Sequence, residues 1–398
     1  MSAAASIRSL YIHIPFCERK CEYCDFTSVA GVRGEAEYVV ALIEELCILA
    51  ERLPGVVLDT VFVGGGTPSL IDPQSLARVL DTVQHHFTVR SEAEITLEAN
   101  PSSTDAARAS VWHDAGFNRV SLGVQSLEPD ILSFLGRVHD ATGAVQAIDD
   151  VRTAGFRNVN CDLIYAVPGL DDVRWDRTLQ RVVARAPDHI SCYELTVEPG
   201  TALHTSVLRG RVTPVDGERA LAQHCIARDA LAAAGYEQYE VSNFSHDGQR
   251  CLHNLAYWRN RHYLAAGVGA HGHVTAEAAR ALGLPVQDDA VAARYWHGRG
   301  IGAYVETMRR RRLPIRDVES VDAVTHEEER LMLGLRLRDG VRLRDSAVMD
   351  QARLLQDRGL LALDGDVARV TDSGENVLNA VVERLCDALH TPAAALTL

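Results

Sequence analysis

The chain has 398 residues and an apolar fraction of 47%, which is enough for one large domain and a smaller one. Its 40 Lys and Arg residues against 54 Asp and Glu residues give a formal net charge of −14. This balance argues against a nucleic-acid partner, because phosphate binding needs a basic surface. An odd number of cysteines, nine, and a start without the apolar core of a signal peptide predict a reduced, cytoplasmic protein. No segment is predicted to span a bilayer, and peripheral membrane association stays open.

The first 235 residues alternate short β-rich runs with amphipathic helical stretches. Strands are predicted at 9–14, 60–63, 93–97, 119–123, 158–164 and 189–195. Helices are predicted between them at 36–52, 74–87, 105–115, 142–154 and 173–185. Six βα units of this kind imply a parallel sheet, open or curled into a partial (β/α)6 barrel.

After residue 235 the alternation stops, and residues 236–320 are predicted to form a connecting region rich in aromatic residues, histidine and glycine. Residues 321–398 are predicted to form a small winged-helix-like α+β domain. Its helices are predicted at 327–336, 346–357 and 373–386, with a hairpin that turns at 364–366. That shape often binds DNA, but the stretch 345–358 carries mixed charge, which favours packing or partner binding instead.

Cys17, Cys21 and Cys24 follow the first predicted strand with C-x3-C-x2-C spacing. Three thiolates can hold three irons of a [4Fe-4S] cluster, and the missing fourth ligand leaves one iron open to another molecule. A structural zinc site would need four protein ligands, and no second cysteine pair follows within reach. His13 could complete such a site, so zinc stays the alternative. An open iron predicts chemistry more than a scaffold role.

Other unusual residues fall at the carboxyl ends of the predicted parallel strands, where such sheets place their working residues. A Gly-Gly-Gly-Thr-Pro run from Gly64 to Pro68 follows the second strand. Its backbone N–H groups could approach an anionic ligand, or the run could be a tight turn without a ligand. Glu98 follows the third strand, where a carboxylate can accept from a ribose hydroxyl or an amine. Gln125, Arg137 and Asp162 are, singly, ordinary loop residues.

The combined pattern resembles the radical S-adenosylmethionine (SAM) superfamily, and within it the oxygen-independent coproporphyrinogen III oxidases and their relatives. The likeness covers most of the chain: the cysteine loop, the GGGTPS turn (64–69), SLGVQS (121–126), LGRVH (135–139), NCDLIY (160–165) and the C-terminal domain. It implies an α/β fold, a radical SAM partial (β/α)6 TIM-type barrel with a winged-helix-like C-terminal domain. It also implies a [4Fe-4S] cluster on Cys17, Cys21 and Cys24 whose open iron chelates S-adenosylmethionine.

The resemblance also implies which residues contact S-adenosylmethionine. Three residues match positions that contact the first molecule: Tyr11, Gly65 and Glu98. Five match positions that in the oxidases hold a second molecule: Gly66, Thr67, Gln125, Arg137 and Asp162.

Two departures from the oxidases point to their sister group, the HemW-type heme chaperones. The oxidases have a further cysteine two residues after the third, where this chain has Phe26, and they carry a segment ahead of the cluster loop, whereas here the first cysteine is residue 17. The chaperone likeness implies a protein that binds heme and hands it to apoproteins such as respiratory hemoproteins. An electron donor is implied as well, and a homodimer stays open. Oxidative decarboxylation of coproporphyrinogen III is the alternative.

His253 is the predicted heme ligand, because it begins the His-Asn-x-x-Tyr-Trp motif typical of the chaperones and because histidine is a common axial ligand of heme iron. Cys251, two residues earlier, is the rival ligand, and His271 and His273 are weaker candidates. The run from Arg309 to Arg312 could meet heme propionates or anionic lipid headgroups, although the solvated end of a helix is the favoured interpretation.

Overall fold

The N-terminal part of the fold alternates strands and helices as the sequence predicts. A computed structural model describes residues 4–390. The strands here are β1 (Ser9–Ile14), β2 (Phe16–Cys17), β3 (Val29–Ala30), β4 (Val57–Gly65), β5 (Thr88–Ala99), β6 (Arg119–Gln125), β7 (Asn158–Tyr165) and β8 (His189–Glu194). The helices are α1 (Glu35–Arg52), α2 (Pro73–His86), α3 (Ala106–Ala115), α4 (Pro129–Phe134), α5 (Ala141–Thr153), α6 (Asp172–Val183), α7 (Ala202–Leu208) and α8 (Gly217–Ala233). The six predicted strands and five predicted helices are all present, several of them longer than predicted.

Aspartate side chains fix where four of the crossover helices begin. Asp72, Asp105, Asp140 and Asp171 each accept a hydrogen bond from a backbone N–H in the first turn of α2, α3, α5 and α6. Such N-caps satisfy donors that the helix itself leaves unpaired. The loops that follow the parallel strands are therefore anchored at their helical ends.

Every helix between residues 4 and 390 is too short or too polar to span a membrane.

One twelve-stranded sheet runs through most of the molecule. Strands β1, β4, β5, β6, β7 and β8 are parallel neighbours in that order, so their carboxyl ends meet at one edge. The sheet does not close, since it continues outward on both sides instead of joining its ends. The predicted architecture, a mixed α/β fold whose parallel strands form a partial barrel, is confirmed.

The region 236–320 extends this sheet, which the sequence pattern did not reveal. It contains β9 (Glu237–Gln238), β10 (Asn243–Ser245), α9 (Leu252–Trp258), β11 (Tyr263–Ala266), β12 (His271–Thr275), α10 (Ala276–Ala281), β13 (Ala292–His297), α11 (Ile301–Arg309) and β14 (Ile315–Val321). Strand β11 pairs in parallel with β1, and β12, β13 and β14 continue the sheet in antiparallel order. On the opposite side, β10 and β9 add antiparallel strands to β8. Four of these strands, β9 to β12, have five residues or fewer, so the period-two apolar signal is weak.

The C-terminal unit, residues 323–389, has a core of its own. It comprises α12 (Ala323–Gly334), β15 (Val341–Arg342), α13 (Ser346–Asp357), β16 (Leu361–Asp364), β17 (Val367–Val370), α14 (Asp372–Glu375) and α15 (Leu378–Leu389). Its three strands pair in the order β15, β17, β16, with the predicted turn at Gly365. The prediction of one helix over 373–386 is wrong. The chain forms two helices, α14 and α15, that are separated at residues 376–377, and Gly374 in α14 packs so closely on Leu360 that a Cβ would lie 2.1 Å from the Leu360 carbonyl oxygen.

Candidate functional site

A cavity of about 590 Å³ opens at the carboxyl edge of the parallel strands, where the sequence places the unusual residues. Ten of the predicted site residues line it: Cys17, Cys21, Cys24, Gly65, Gly66, Thr67, Glu98, Gln125, Arg137 and Asp162. Tyr11 and His253 are not among the lining residues. They stack on Phe62, a lining residue, with ring centroids 6.2 and 5.1 Å from that of Phe62.

The three cysteines form the part of the cavity wall nearest β2. Cys17 is buried and its Sγ accepts from the Thr67 hydroxyl at 3.7 Å, while the Cys21 Sγ accepts from Arg137 Nη1 at 3.6 Å. Burial raises the pKa of the Cys17 thiol, and it raises the pKa of the Cys24 thiol to about 11. Coordination to iron deprotonates such thiols, and the two donors stabilise the resulting thiolates. Three sulfur donors from one loop fit a [4Fe-4S] cluster with an open iron.

The glycine turn packs against the cysteine loop with no room for side chains. A Cβ on Gly65, whose φ is +118°, would lie 2.5 Å from the His13 ring. A Cβ on Gly66 would lie 2.8 Å from the Phe16 carbonyl oxygen and 3.0 Å from Cys17 Sγ. Only glycine allows this approach, so the turn supports the position of the first cysteine.

The amides of this turn are engaged inside the protein, contrary to the anion-binding interpretation. Gly65 N–H donates to Glu98 Oε2 at 2.9 Å, Gly66 N–H to the Ile14 carbonyl at 2.8 Å, and Thr67 N–H to the Phe16 carbonyl at 2.7 Å. A backbone anion nest needs amides whose hydrogens are free. The turn therefore has a packing role, and any ligand contact would come from its carbonyl oxygens.

Two carboxyl groups give the cavity acceptors for a cationic or hydroxylated ligand. Burial, with a smaller contribution from the nearby Asp162, raises the pKa of Glu98 to about 7 against the opposing hydrogen bond from the Gly65 N–H. Asp162 accepts from the Ser121 hydroxyl at 3.0 Å and from Asn160 Nδ2 at 2.7 Å, while burial raises its pKa too. A positively charged ligand would favour the ionised form of both groups. This wall suits the ammonium, sulfonium and ribose groups of S-adenosylmethionine.

Arg137 and Gln125 also line the cavity. The Arg137 guanidinium donates to Asn100 Oδ1 at 2.5 Å and to the Gly123 carbonyl at 2.9 Å, and its buried Nε has no partner among the described residues. Gln125 has a φ of 62° at the end of β6, where the register with β7 shifts. Left-handed backbone at a residue other than glycine costs roughly 1–3 kcal/mol and clusters at ligand sites. An unpaired buried donor here fits a ligand that carries a carboxylate.

His253 lies behind the cavity, fully buried in the first turn of α9. Its Nδ1 is 2.8 Å from the Thr60 hydroxyl and its Nε2 is 2.8 Å from the Tyr257 hydroxyl. Burial lowers the pKa of the imidazole to about 3, so the ring is neutral at pH 7. Both nitrogens are hydrogen-bonded, and Asn254 lines the cavity in its place. Heme ligation by His253 stays a prediction, and it requires α9 to move.

The other candidate heme ligands differ in exposure. Cys251 is fully buried, and burial raises the pKa of its thiol to about 12. His271 is exposed, whereas His273 is buried. The arginine run 309–312 begins at the last residue of α11 and pairs with acidic side chains, Arg310 with Glu306 among them. These ion pairs favour the interpretation of the arginine run as the solvated end of a helix.

Two charged residues that the sequence pattern did not single out lie inside this region. Glu94, on β5, accepts from the backbone N–H groups of Leu252 at 2.8 Å and His253 at 3.0 Å, and so caps α9. Arg119, on β6, is buried beside it and lines the cavity. The sequence did hold a clue to both residues, because each charge lies within a predicted buried strand and charged residues are rarely buried without a partner.

Comparison with known proteins places this geometry in a family. Residues 11–182 match the family model described as the radical SAM superfamily. The heme chaperone HemW of Mycobacterium tuberculosis (strain H37Rv) is 36% identical over 383 residues, which cover 94% of each chain. The heme chaperone HemW of Escherichia coli (strain K12) is 38% identical over 321 residues, which cover 79% of each chain.

A solved structure shares the fold over nearly the whole chain. The coproporphyrinogen III oxidase HemN of Escherichia coli, described as a radical SAM enzyme, has a TM-score of 0.78 and 20% sequence identity. The match covers 98% of this chain and 92% of that one. At this identity the match shows a shared fold, whereas the sequence relatives, which are 32–38% identical over most of the chain, show the family. The chain therefore belongs to the HemW-type heme chaperone family of the radical SAM superfamily.

Proposed function

We propose that this protein binds heme and delivers it to apo-hemoproteins, with a [4Fe-4S] cluster on Cys17, Cys21 and Cys24 and S-adenosylmethionine in the adjoining cavity. The observation that carries the proposal is Phe26, which stands where the oxidases have a further cysteine. Its side chain is 62% exposed and lines the cavity beside the three thiols. An exposed aromatic ring at this position offers a flat apolar surface of the kind that a porphyrin contacts.

The residues of the cavity have separable roles in this proposal. A bound cluster would supply one electron for cleavage of the sulfonium. Thr67 and Arg137 donate to the sulfur atoms of Cys17 and Cys21, which stabilises thiolate charge. Glu98 accepts from a cationic or hydroxyl group of S-adenosylmethionine. The Glu98 contact would hold the ligand beside the cysteines.

Heme ligation by His253 would require a local opening of α9. The Tyr257 hydroxyl occupies Nε2 at 2.8 Å, and Phe62 covers the imidazole at 5.1 Å between ring centroids. Breaking one such hydrogen bond costs about 0.5–1.5 kcal/mol, and α9 has only seven residues. The neutral imidazole is the form that binds metal. The imidazole of His253 is therefore in the neutral form that heme ligation requires, but Phe62 and Tyr257 cover it.

Heme titrations of variants under anaerobic conditions test this arrangement. His253→Ala should weaken heme binding and change the heme absorption spectrum. Tyr257→Phe should strengthen it up to about fivefold, because the hydroxyl that competes for Nε2 is gone and 1 kcal/mol corresponds to that factor. Cys251→Ser should leave affinity and spectrum unchanged. An unaltered spectrum in His253→Ala would remove the ligand assignment, and an altered one in Cys251→Ser would favour the rival thiolate.

Delivery is tested separately, by mixing the heme-loaded protein with an apo-cytochrome and following the cytochrome spectrum. Heme should reach the cytochrome faster than it reaches apomyoglobin at the same concentration, because a chaperone contacts its recipient. Equal rates set by heme dissociation alone would argue for storage and against delivery.

One observation favours a second function. Gln125, Arg137 and Asp162, which match the second S-adenosylmethionine site of the oxidases, line the same cavity as the cysteines. Oxidative decarboxylation of coproporphyrinogen III is therefore the second candidate. Formation of vinyl product with consumption of S-adenosylmethionine, in an anaerobic assay, would rank it first.

A further inference from the structure

A second group of metal-ligating side chains lies outside the cavity, where the antiparallel end of the large sheet meets the C-terminal unit. His273 on β12 and His326 and Glu329 on α12 each place one ligand atom within 4.8 Å of the other two. His262, just before β11, lies beside them, with its ring centroid 4.9 Å from that of His273. Side chains distant in sequence thus converge on one point.

The group contains buried nitrogen atoms without partners. His273 is only 4% exposed, and its Nε2 makes no hydrogen bond within residues 4–390. The Nδ1 of His262 is likewise buried and unpaired among those residues. Buried polar atoms in folded proteins are nearly always satisfied by protein, water or an ion. The unpaired buried nitrogen of His273, a member of the group, therefore indicates a partner such as an ion or a water molecule.

The charges around the group are compatible with a cation. Burial lowers the pKa of His273 to about 3 and lowers that of His326, so both imidazoles are neutral at pH 7, the form that binds metal. Arg294 is bonded to Glu329, but it also bonds Glu319 at 2.9 Å. The arginine would therefore keep a carboxylate partner when Glu329 turns towards a metal ion.

We propose that His273, His326 and Glu329 bind a divalent transition-metal ion of the zinc class and so join the large sheet to the C-terminal unit. Two imidazoles and one carboxylate are a donor set typical of zinc, with the fourth position open to water. Zinc lies about 2.0–2.2 Å from nitrogen and oxygen ligands, so in a tetrahedral site donor atoms stand roughly 3.3–3.6 Å apart. The donor atoms now lie within 4.8 Å of one another, so metal binding would bring them closer by no more than about 1.5 Å.

A metal at this site would act on the helix that carries His253. Helix α12 packs against α9. On the other side, Tyr263 is the register partner of His273 and contacts Tyr257 of α9, with ring centroids 4.6 Å apart. Metal binding would therefore stiffen both neighbours of α9. The metal-site proposal itself does not depend on heme binding.

Isothermal titration of the cluster-reconstituted, chelator-treated protein with Zn²⁺ tests the site. One Zn²⁺ per chain should bind with high affinity, and zinc X-ray absorption should show nitrogen and oxygen ligands without sulfur. His326→Ala and Glu329→Gln should each lower the affinity at least tenfold. The exposed His85→Ala should not change it. Absence of saturable binding, or a sulfur shell, would overturn the proposal.

Two further measurements show whether a variant is still folded and whether zinc binds at the cysteines instead. Zn²⁺ should raise the melting temperature of the wild type, while His326→Ala, whose half-buried side chain leaves the core intact, should melt like the metal-free wild type and show no rise. The variant with Cys17, Cys21 and Cys24 replaced by serine should still bind Zn²⁺. Equal rises in wild type and His326→Ala, or loss of binding in the cysteine variant, would refute the assignment.

Discussion

Glu94→Gln is the substitution that tests most directly how the His253 segment is held. The buried Glu94 carboxylate accepts from the backbone N–H groups of Leu252 at 2.8 Å and His253 at 3.0 Å. It also lies beside the buried Arg119 guanidinium. Glutamine keeps the shape of the side chain but removes the charge, and it turns one acceptor into a donor that faces an N–H group.

The expected magnitude follows from these contacts. A hydrogen bond to a charged group contributes about 1.5–3 kcal/mol, and at least one is lost here. The loss acts on α9 because the carboxylate joins its first turn to the sheet. Local opening of α9 should become easier by about 2–3 kcal/mol, and hydrogen exchange of its amides should accelerate roughly 30–150-fold, since each 1.4 kcal/mol is a factor of ten.

Hydrogen exchange with mass spectrometry on the intact protein measures this effect in the peptide that contains α9. Glu92→Gln is the matched control, because Glu92 is an exposed residue of the same strand and should leave α9 protection unchanged. If opening of α9 admits heme to His253, heme association should accelerate in Glu94→Gln as well. Wild-type protection in that variant would refute the capping role. Faster hydrogen exchange without faster heme association would show that opening of α9 does not admit heme to His253.

Three further predictions concern stability. Gly65→Ala should destabilise the protein by about 1–3 kcal/mol more than Gly55→Ala in urea unfolding, because both have positive φ but only Gly65 would crowd the His13 ring. The free energy of unfolding should fall as the pH drops below 6.5. The reason is that the His253 imidazole binds a proton there in the unfolded protein but not in the folded protein, where its pKa is about 3. His253→Gln should make that slope shallower by about 1.4 kcal/mol per pH unit, as followed by urea unfolding between pH 6.5 and 4; an unchanged slope would contradict the shift. Leu385→Ala should cost about 2–5 kcal/mol in the C-terminal unit, seen as faster hydrogen exchange there than in β1 to β8.

The parallel half of the fold could be predicted from sequence because each of its units is local. A strand, a loop with an aspartate cap and an amphipathic helix follow one another, and the rule that strand carboxyl ends share an edge brings the cysteines, Glu98 and Asp162 together. The strands of residues 236–320 could not be predicted in this way. The parallel partner of β11 is β1, at the start of the chain, and the four residues of β11 carry no alternation.

The candidate site was predicted as a set of residues but not as a set of contacts. The sequence motif places His253 beside its aromatic neighbours, yet it does not indicate that Thr60 and Tyr257 occupy both ring nitrogens. The glycine turn was open to two interpretations because hydrogen-bond partners of amides depend on tertiary packing. The His273, His326 and Glu329 group was invisible for the same reason, since its members come from two units of the chain.

The position of His253 connects these observations. Its segment is held from three sides: by Glu94 through the helix start, by Thr60 and Phe62 around the ring, and by α12 from the C-terminal unit. A ligand for permanently bound heme would be exposed to its pocket, whereas a ligand carried on a seven-residue helix and covered by Phe62 can bind and release heme at the cost of a few hydrogen bonds. Reversible access suits transfer more than storage. The Glu94→Gln substitution should therefore accelerate heme exchange, and metal binding at α12 should slow it. If both changed the exchange rate in the same direction, the two contacts would not control access to His253 through α9.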